Sequence, residues 1–445
     1  MVTEAPQISE RPQLIESPVQ CAQLSLRVLT SELEFLSLES EWRRLSIAQT
    51  RHSPTSDWAW LLSWWKVIGS TCPKTRRQGQ VHMVVIESGS RPVAIFPFVH
   101  HKTSWWEPRR LRPMGYSGEF EPSGLTEEPV GVWTGTEEKE AKQLLESHLQ
   151  ELITSGRYDC AIFRHLTAKA DSKTQIDFRQ ITLRKVKQGP WIIDLPNDWS
   201  MFRKQLSKSM RDNLPYYPKL LKRAGLTFEI RKYTEESEVR AAVDRLIDLH
   251  KQRVHSEQAN GHRDYFAHGW EQKMLEEGIC RMAADGKGFI ASLVVGGEEV
   301  AMQTFLTDRD RLVVHYSGFA PSYAKYSPLL ILQSEIFKEA MQQGITEVDL
   351  LFGSAQWQKR WGARAKEQDA RTTVVSTRPI AVLRCGLYLV IREMAAMRRR
   401  RGLKTRNPKI ADKLSALAGA GLEFHAFAIR TAASPVGHHL LRVHR

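Results

Sequence analysis

Hydrophobic and polar positions are most regularly ordered between residues 312 and 361, LVVHYSGFAPSYAKYSPLLILQSEIFKEAMQQGITEVDLLFGSAQWQKRW. Residues 312–316 form a short β-branched and aromatic run that predicts a strand, and a loop crowded with tyrosines follows. Ser327 suits a helix N-cap, Pro328 the first helical position, and Gly344 the C-terminal stop. Between them Leu329, Leu332, Ile336, Phe337, Ala340 and Met341 recur at helical spacing, and 348–352 returns to a strand. A strand that delivers a loop into a helix N-terminus brings free N–H groups and the positive end of the helix dipole together. The segment is therefore either an anion site for a phosphate-bearing cosubstrate or an ordinary β-α-β crossover with a solvated helix start. In the first case Ser317, Gly318, Lys325, Ser327 and Leu329 are the candidate contacts.

The same order of elements is legible twice. The first half reads as a strand at 24–29, a helix at 31–47 with Ser31 as its cap, and a Trp-rich helix at 53–68 ended by Gly69. Strands at 81–87 and 92–100 flank a Ser88-Gly89-Ser90 turn, and a helix at 138–155 closed by Gly156 precedes a strand at 158–163. The second half has a strand at 226–232 and a helix at 236–253, with Val239, Val243, Leu246, Ile247 and His250 on one face. A helix at 265–277 ended by Gly278, and strands at 288–295 and 299–307 about a Gly296-Gly297 turn, lead into the segment above. A repeated β-α-α-β-β-β-α-β order predicts tandem copies of one mixed α/β (α+β) domain. The expected organisation is a disordered leader at 1–23, domains at 24–190 and 191–378, and a basic amphipathic tail at 379–445. The segment 199–225 predicts a helix through Leu214, a break at Pro215 and Pro218, and a second short helix. It is rich in Lys and Arg, so it is either a solvated linker helix or an anion-binding face.

The net charge of +14 sits mainly in the tail. Residues 378–445 hold fourteen Lys and Arg against three acids, leaving 50 basic and 47 acidic residues in the first 377. A uniformly basic nucleic-acid binder is not built this way, and there is no helix-turn-helix pattern, so no DNA partner is expected. Five scattered cysteines without a CxxC pair suit a reducing compartment and argue against a disulfide framework or structural zinc. The acidic, proline-containing start does not read as a signal peptide, and no run approaches a membrane span. The expected location is the cytoplasm. Within 380–397, Leu383, Leu387, Val390, Ile391 and Met394 share a helical face ahead of four arginines at 398–401. That pattern describes either an interfacial helix on an anionic membrane, through 380–401 at the inner face of the cell membrane, or a helix docked on the protein with a solvated basic tip. The domain elements are complete by about Arg378, so the tail is expected to be dispensable for folding.

Three stretches resemble a known family: LSKSMRDNL at 206–214 with LKRAG at 221–225, YSGFAPSYAKYSPLLIL at 316–332 with VDLLFGSAQWQKRW at 348–361, and the Trp-rich SDWAWLLSWWKVIG. They are similar to the CelD-like, or BioF2-like, branch of the GNAT acetyltransferase superfamily, over roughly residues 25–378. Fem-type peptidoglycan aminoacyltransferases, with the same tandem architecture, resemble it more distantly. The resemblance implies tandem GNAT-like acyltransferase domains and transfer of an acyl group, acetyl above all, from acyl-CoA to an amine or hydroxyl, with no metal. Tyr316, Tyr326, Asp349, Lys359 and Trp361 fall on the family's recurrent positions, as do Lys208, Arg211 and Asn213 in the basic helix. The chain departs from the pattern in two places. Its GFAPSYAKYSP loop has one glycine, Gly318, where the family's pyrophosphate loop is glycine-rich, and LPYYP stands where the family helix continues with arginines.

Acyl transfer requires deprotonation of the acceptor, donors for the oxyanion and protonation of the leaving group. Asp349 lies in the apolar strand VDLLF, where burial disfavours the charged carboxylate and makes it a better base; the alternative is a structural pair with Lys359 or Arg360. Tyr316 and Tyr326 are either donors to a thiolate or tetrahedral oxygen, or packed tyrosines with bonded hydroxyls. Lys359 suits a phosphate or carboxylate clamp, and Lys208, Arg211, Asn213 and Trp361 complete the substrate-binding set. His250, His255, His262 and His268 lack the i, i+4 spacing of a helical zinc site. Three functions compete: an acyl-CoA-dependent transferase acting on a small molecule, saccharide or envelope component; an aminoacyl-tRNA-dependent transferase, the one case with a tRNA partner; and a non-catalytic scaffold with a degenerate fold.

Overall fold

The computed structural model describes residues 24–49, 54–73, 76–101, 103–115, 131–165, 174–176, 180–187, 190–256, 264–351, 355–365 and 369–404. The expected leader at 1–23, His262, Phe352 and the tail beyond Lys404 lie outside these residues. The first half comprises β1 (Leu24–Leu29), α1 (Glu32–Ser37), α2 (Glu39–Ala48), α3 (Trp58–Trp64), β2 (Gly79–Ser88), β3 (Arg91–His101), β4 (Arg110–Pro113), β5 (Val132–Trp133), α4 (Glu138–Thr154), β6 (Cys160–His165), β7 (Thr174–Ile176) and β8 (Gln180–Lys187). Next come β9 (Trp191–Asp194), α5 (Trp199–Gln205), α6 (Lys208–Arg223), β10 (Phe228–Tyr233), α7 (Glu236–His255), α8 (Gly269–Ala284), β11 (Gly288–Val295), β12 (Glu298–Asp308) and β13 (Arg311–Phe319). The chain continues through α9 (Pro328–Gln342), β14 (Glu347–Asp349), α10 (Ala355–Arg360), β15 (Arg364–Ala365), β16 (Asp369–Ser376) and α11 (Pro379–Lys404).

These strands form two sheets of matching design. The first runs β1-β2-β3-β4-β6-β16-β8-β7, with β5 beside β3, and the second runs β10-β11-β12-β13-β14-β9-β15. In each, the fourth and fifth strands form the parallel pair, β4 with β6 and β13 with β14. The helix that crosses over between them, α4 or α9, supplies the length a parallel connection needs. In each sheet the sixth strand comes from elsewhere in the chain: β9 precedes its whole sheet, and β16 follows the second sheet yet pairs with β6 and β8 of the first. The stretch 369–376, inside the span expected for the second domain, thus completes the first.

Three cores stack between the layers. Alternate residues of β2, such as Val84 and Ile86, pack against α4, while Met83 and Val85 face the opposite way. There α1, α2 and α3 meet α7 and α8, so one apolar core joins the two halves. Trp42, Trp58, Trp60 and Trp64 are wholly buried in it, which accounts for the Trp-rich stretch. The other face of the second sheet packs on α5, α6 and α9.

Helix boundaries differ from the sequence expectation in several places, the Trp-rich helix, for one, being α-helical only over Trp58–Trp64 and π-helical from Trp65 to Gly69. The expected 265–277 helix is α8, and Gly278 lies inside it rather than at its end. A Cβ there would come within 2.7 Å of the Trp60 ring, so this glycine is a contact between halves. The 31–47 helix divides at Leu38 into α1 and α2, with Ser31 capping the first as expected. In 199–225 the break falls at Leu206, and α6 continues through Pro215 and Pro218. Pro215 has no N–H for the Arg211 carbonyl, and the Arg203 guanidinium reaches that oxygen at 3.4 Å instead.

The tail helix α11 divides by face. Ala381 and Tyr388 are buried against the first half, Arg110 lies 4.3 Å from the Tyr388 ring centre, and Arg384 meets Asp159 at 3.3 Å. The apolar positions 383, 387, 390, 391 and 394 are exposed. The helix is therefore part of the folded body, contrary to the expectation that the domains are complete by Arg378. Among the described residues no helix is long and apolar enough to cross a membrane.

Candidate active site

The site grows from a divergence in the second sheet. β13 and β14 pair at Arg311–Glu347, Leu312–Val348 and Val313–Asp349, and there the parallel ladder stops. Among the described residues β13 runs on to Phe319 beside β12 alone, while the other chain turns away at Leu351, whose φ of 56° is left-handed. An ordinary side chain resists that conformation, so neighbours must hold it. The Asp349 carboxylate accepts the Leu351 N–H at 2.7 Å, and the buried Gln358 amide donates to the Leu350 and Leu351 carbonyls at 3.4 and 3.2 Å. Trp191 of β9 exchanges backbone bonds with Leu350 and Leu351. The result is a wedge between two strands that began as neighbours.

The wedge opens toward the start of α9. A short 3₁₀ helix, Pro321–Tyr326, links β13 to Ser327, the residue before α9, with φ 48°. Ser327 occupies the N-cap position, but its left-handed backbone differs from that of an ordinary cap and its hydroxyl makes no capping bond. Pro328 stands at the first helical position as expected and has no N–H. Leu330 and Ile331 donate to the Ser327 carbonyl at 2.9 and 3.3 Å, which leaves the Leu329 N–H and the positive end of the dipole at the helix start. A cavity of about 180 Å³ lies at this point. Its walls are Met210 of α6, Phe319, Ala324, Ser327 through Leu330, and Trp357, Arg360 and Trp361 from α10 and its end. Among the described residues these walls are apolar and aromatic, with Arg360 as their charged group and no carboxylate.

The expected site residues separate into groups. Ser327, Leu329 and Trp361 line the cavity, and Trp361 is fully buried against Phe202 and Phe337. Tyr326 is buried in the same core, with exposed Lys325 4.9 Å from its ring centre. Tyr316 lies across the sheet among Phe266, Tyr265 and His315, so the two tyrosines do not share a site. Gly318 faces α7, where a Cβ would stand 2.2 Å from the His250 backbone nitrogen, so its missing side chain serves packing. Ser317 faces that helix too: its carbonyl bonds the His250 ring at 3.0 Å, and Arg253 meets its hydroxyl at 3.4 Å.

Asp349 is fully buried and ion-paired with Arg311 of β13. Its partner is thus neither Lys359 nor Arg360, and its carboxylate shapes the wedge. Exposed Lys359 lies 5.8 Å from the Trp191 ring centre and does not line the cavity; its neighbour Arg360 does. In the basic helix, Arg211 donates to the Lys204 and Leu206 carbonyls at 3.3 and 2.9 Å, closing the end of α5. Lys208 is exposed at the start of α6 and Asn213 half-buried along it. Sequence reasoning missed Met210, Phe319, Leu330, Trp357 and Arg360. The WQKRW spacing held a signal, since Trp357, Arg360 and Trp361 are i, i+3 and i+4 and share a helical face. Among the described residues no group of three or more His, Cys, Asp or Glu side chains is placed to hold a metal.

The chain is similar to several known proteins. The family model described as an acetyltransferase (GNAT) domain matches residues 208–359, from the first residue of α6 into α10. The crystal structure of FemX is similar, with a TM-score of 0.51 and 9% identity, covering 75% of this chain and 95% of FemX. A tandem GNAT protein from the clavulanic acid biosynthesis pathway gives 0.40 and 8%, covering 80% and 99%. The C-terminal domain of a putative lysylphosphatidylglycerol synthetase from Agrobacterium fabrum gives 0.43 and 12%, covering 78% and 95%. No curated protein matches by sequence. The fold is a mixed α/β tandem of GNAT-like domains, and its second unit carries the acetyltransferase-domain match.

Proposed function

We propose that the chain is an acyl-CoA-dependent acyltransferase of the CelD-like kind, moving an acetyl group to an amine or hydroxyl of a saccharide or cell-envelope acceptor. The observation that carries this reading is the wedge between β13 and β14, opening on an apolar cavity at the N-terminus of α9. The edge of β13 beyond Val313, where the described ladder with β14 ends, offers backbone groups to the amides of a pantetheine arm, and the Leu329 N–H with Arg360 offers charge to a phosphate. A cavity of about 180 Å³ is too small to enclose a whole coenzyme, so the nucleotide would lie outside, across α6 and α9. The acceptor nitrogen or oxygen attacks the thioester carbonyl, the C–S bond breaks, and the thiolate takes a proton. Tyr326, on the cavity side of the sheet, is the candidate donor for that thiolate, and Tyr316 is not. Solvent at the cavity mouth takes the acceptor's proton.

A second reading, aminoacyl transfer from tRNA, is favoured by exposed Lys208 and Lys219 on the helix that supplies Met210. A thermal-shift panel of acetyl-CoA, longer acyl-CoAs, free CoA and charged tRNA separates the two. Ligand at about a hundred times its dissociation constant stabilises by roughly 2.7 kcal/mol. A shift with acetyl-CoA is expected, and Arg360→Ala should raise KM for it more than it lowers kcat, with Lys359→Ala closer to wild type. Silence toward every acyl-CoA with a response to tRNA supports the second reading. Silence toward all of them leaves the scaffold.

A further inference from the structure

The helix α11 carries a feature that acyl transfer does not use. Ile380, Leu383, Leu387, Val390, Met394 and Met397 are all exposed, Leu383 at 65%, and they recur every three or four residues. At 1.5 Å per residue the stripe is about 25 Å long. A monomer's exposed apolar residues are ordinarily scattered, so a continuous stripe marks a contact surface. Its orientation is fixed by the opposite face. Ala381 and Tyr388 are buried, Arg384 holds Asp159 at 3.3 Å, and Arg110 stacks on the Tyr388 ring. The helix therefore presents its apolar side outward as part of a built structure.

We propose that this stripe docks on an anionic lipid surface, with α11 lying in the plane of the interface. Charge complementarity selects this occupant. The stripe leads into four consecutive arginines at 398–401, and residues 378–445 carry fourteen Lys and Arg against three acids, while the rest of the chain is nearly balanced. An apolar face with a cationic end is the composition of an interfacial helix, and each basic residue adds to its attraction for anionic headgroups. The helix is too short in its apolar run to cross a bilayer, so it lies on the surface. An acceptor held in that membrane would meet the enzyme there, but the docking does not depend on which reaction the cavity performs.

Co-sedimentation of the full chain with phosphatidylcholine vesicles, alone or with about a third phosphatidylglycerol, tests the proposal. Binding to the anionic vesicles that weakens with salt is expected. L383E/L387E/V390E, all at exposed positions, should retain the wild-type melting temperature and lower binding by about tenfold or more. R398A/R399A/R400A/R401A, which keeps the Ala381, Arg384 and Tyr388 contacts, should lower binding and its salt dependence, and it decides the matter if the first variant does not fold. Full-length protein that ignores anionic vesicles at low salt overturns the proposal. So does binding that neither variant changes. A wild-type dimer made monomeric by the glutamates would assign the stripe to a second copy. A chain ending at Lys404 that binds where the full chain does not would assign it to the chain's own C-terminal segment.

Discussion

Asp349 holds two contacts that decide where the site opens, the Arg311 guanidinium and the Leu351 N–H. Replacing it by Asn keeps the shape but leaves Arg311, itself mostly buried, beside Glu347 alone at 3.3 Å. Removing one member of a buried ion pair costs about 3 kcal/mol. Asp349→Asn should therefore lower the urea midpoint and lose transfer activity with it. A variant with the wild-type midpoint and no turnover would instead make Asp349 a chemical group, as its place in an apolar strand first suggested. Its burial was legible from the flanking Val348, Leu350 and Leu351. Its partner was not, because Arg311 is 38 positions earlier and becomes a neighbour only through the parallel register of β13 and β14. For the same reason periodicity could not separate Tyr316 from Tyr326: a bulge in the β12–β13 ladder falls at Tyr316 itself, and the sheet divides the two.

At the scale of elements, local signals did most where they were strong. The strand 288–295 was legible to the residue, because β-branched residues and a Gly-Gly turn agree on its ends. Where a side chain from elsewhere satisfied a backbone group, the local rule failed, as when Arg203 let α6 pass through Pro215. The glycines show the limit best. Gly318 invited a phosphate-loop reading, yet its Cβ position is filled by the α7 backbone. Gly318→Ala should destabilise the protein by about 1–3 kcal/mol through overpacking of β13 on α7. Thermal melts without any ligand check this. An unchanged melting temperature with weakened CoA binding would return the residue to the loop's chemistry.

The whole molecule is bound by features that no local pattern encodes: β9 and β16 each enter a sheet remote in sequence, and one core spans both halves. Tandem order was legible because both copies repeat it, whereas the entry of β16 into the first sheet was not, since its register depends on β6 and β8. This shared body also sets a response to acid. His82 and His101 are buried in the first sheet. Burial, then neighbouring His148, pushes His82 down to about 3, and burial, then Arg112, pushes His101 down to about 4. Arg112 donates to the neutral His101 ring at 2.7 Å, consistent with an uncharged imidazole. The unfolded chain takes up these protons near pH 6.5 and the folded one does not. The unfolded state therefore binds more protons between the two values, and stability falls as pH drops from about 6.5 toward 4. Each histidine contributes a loss of about 2 kcal/mol at pH 5 relative to pH 7. Urea unfolding at the two pH values should show the midpoint falling at pH 5, and His82→Gln should shrink that difference whatever it does to the midpoint at pH 7, by less than half because His315, also held down to about 3 by burial, adds its own loss. Equal midpoints at pH 7 and pH 5 would mean that the folded protein protonates both rings and that this core is open to solvent.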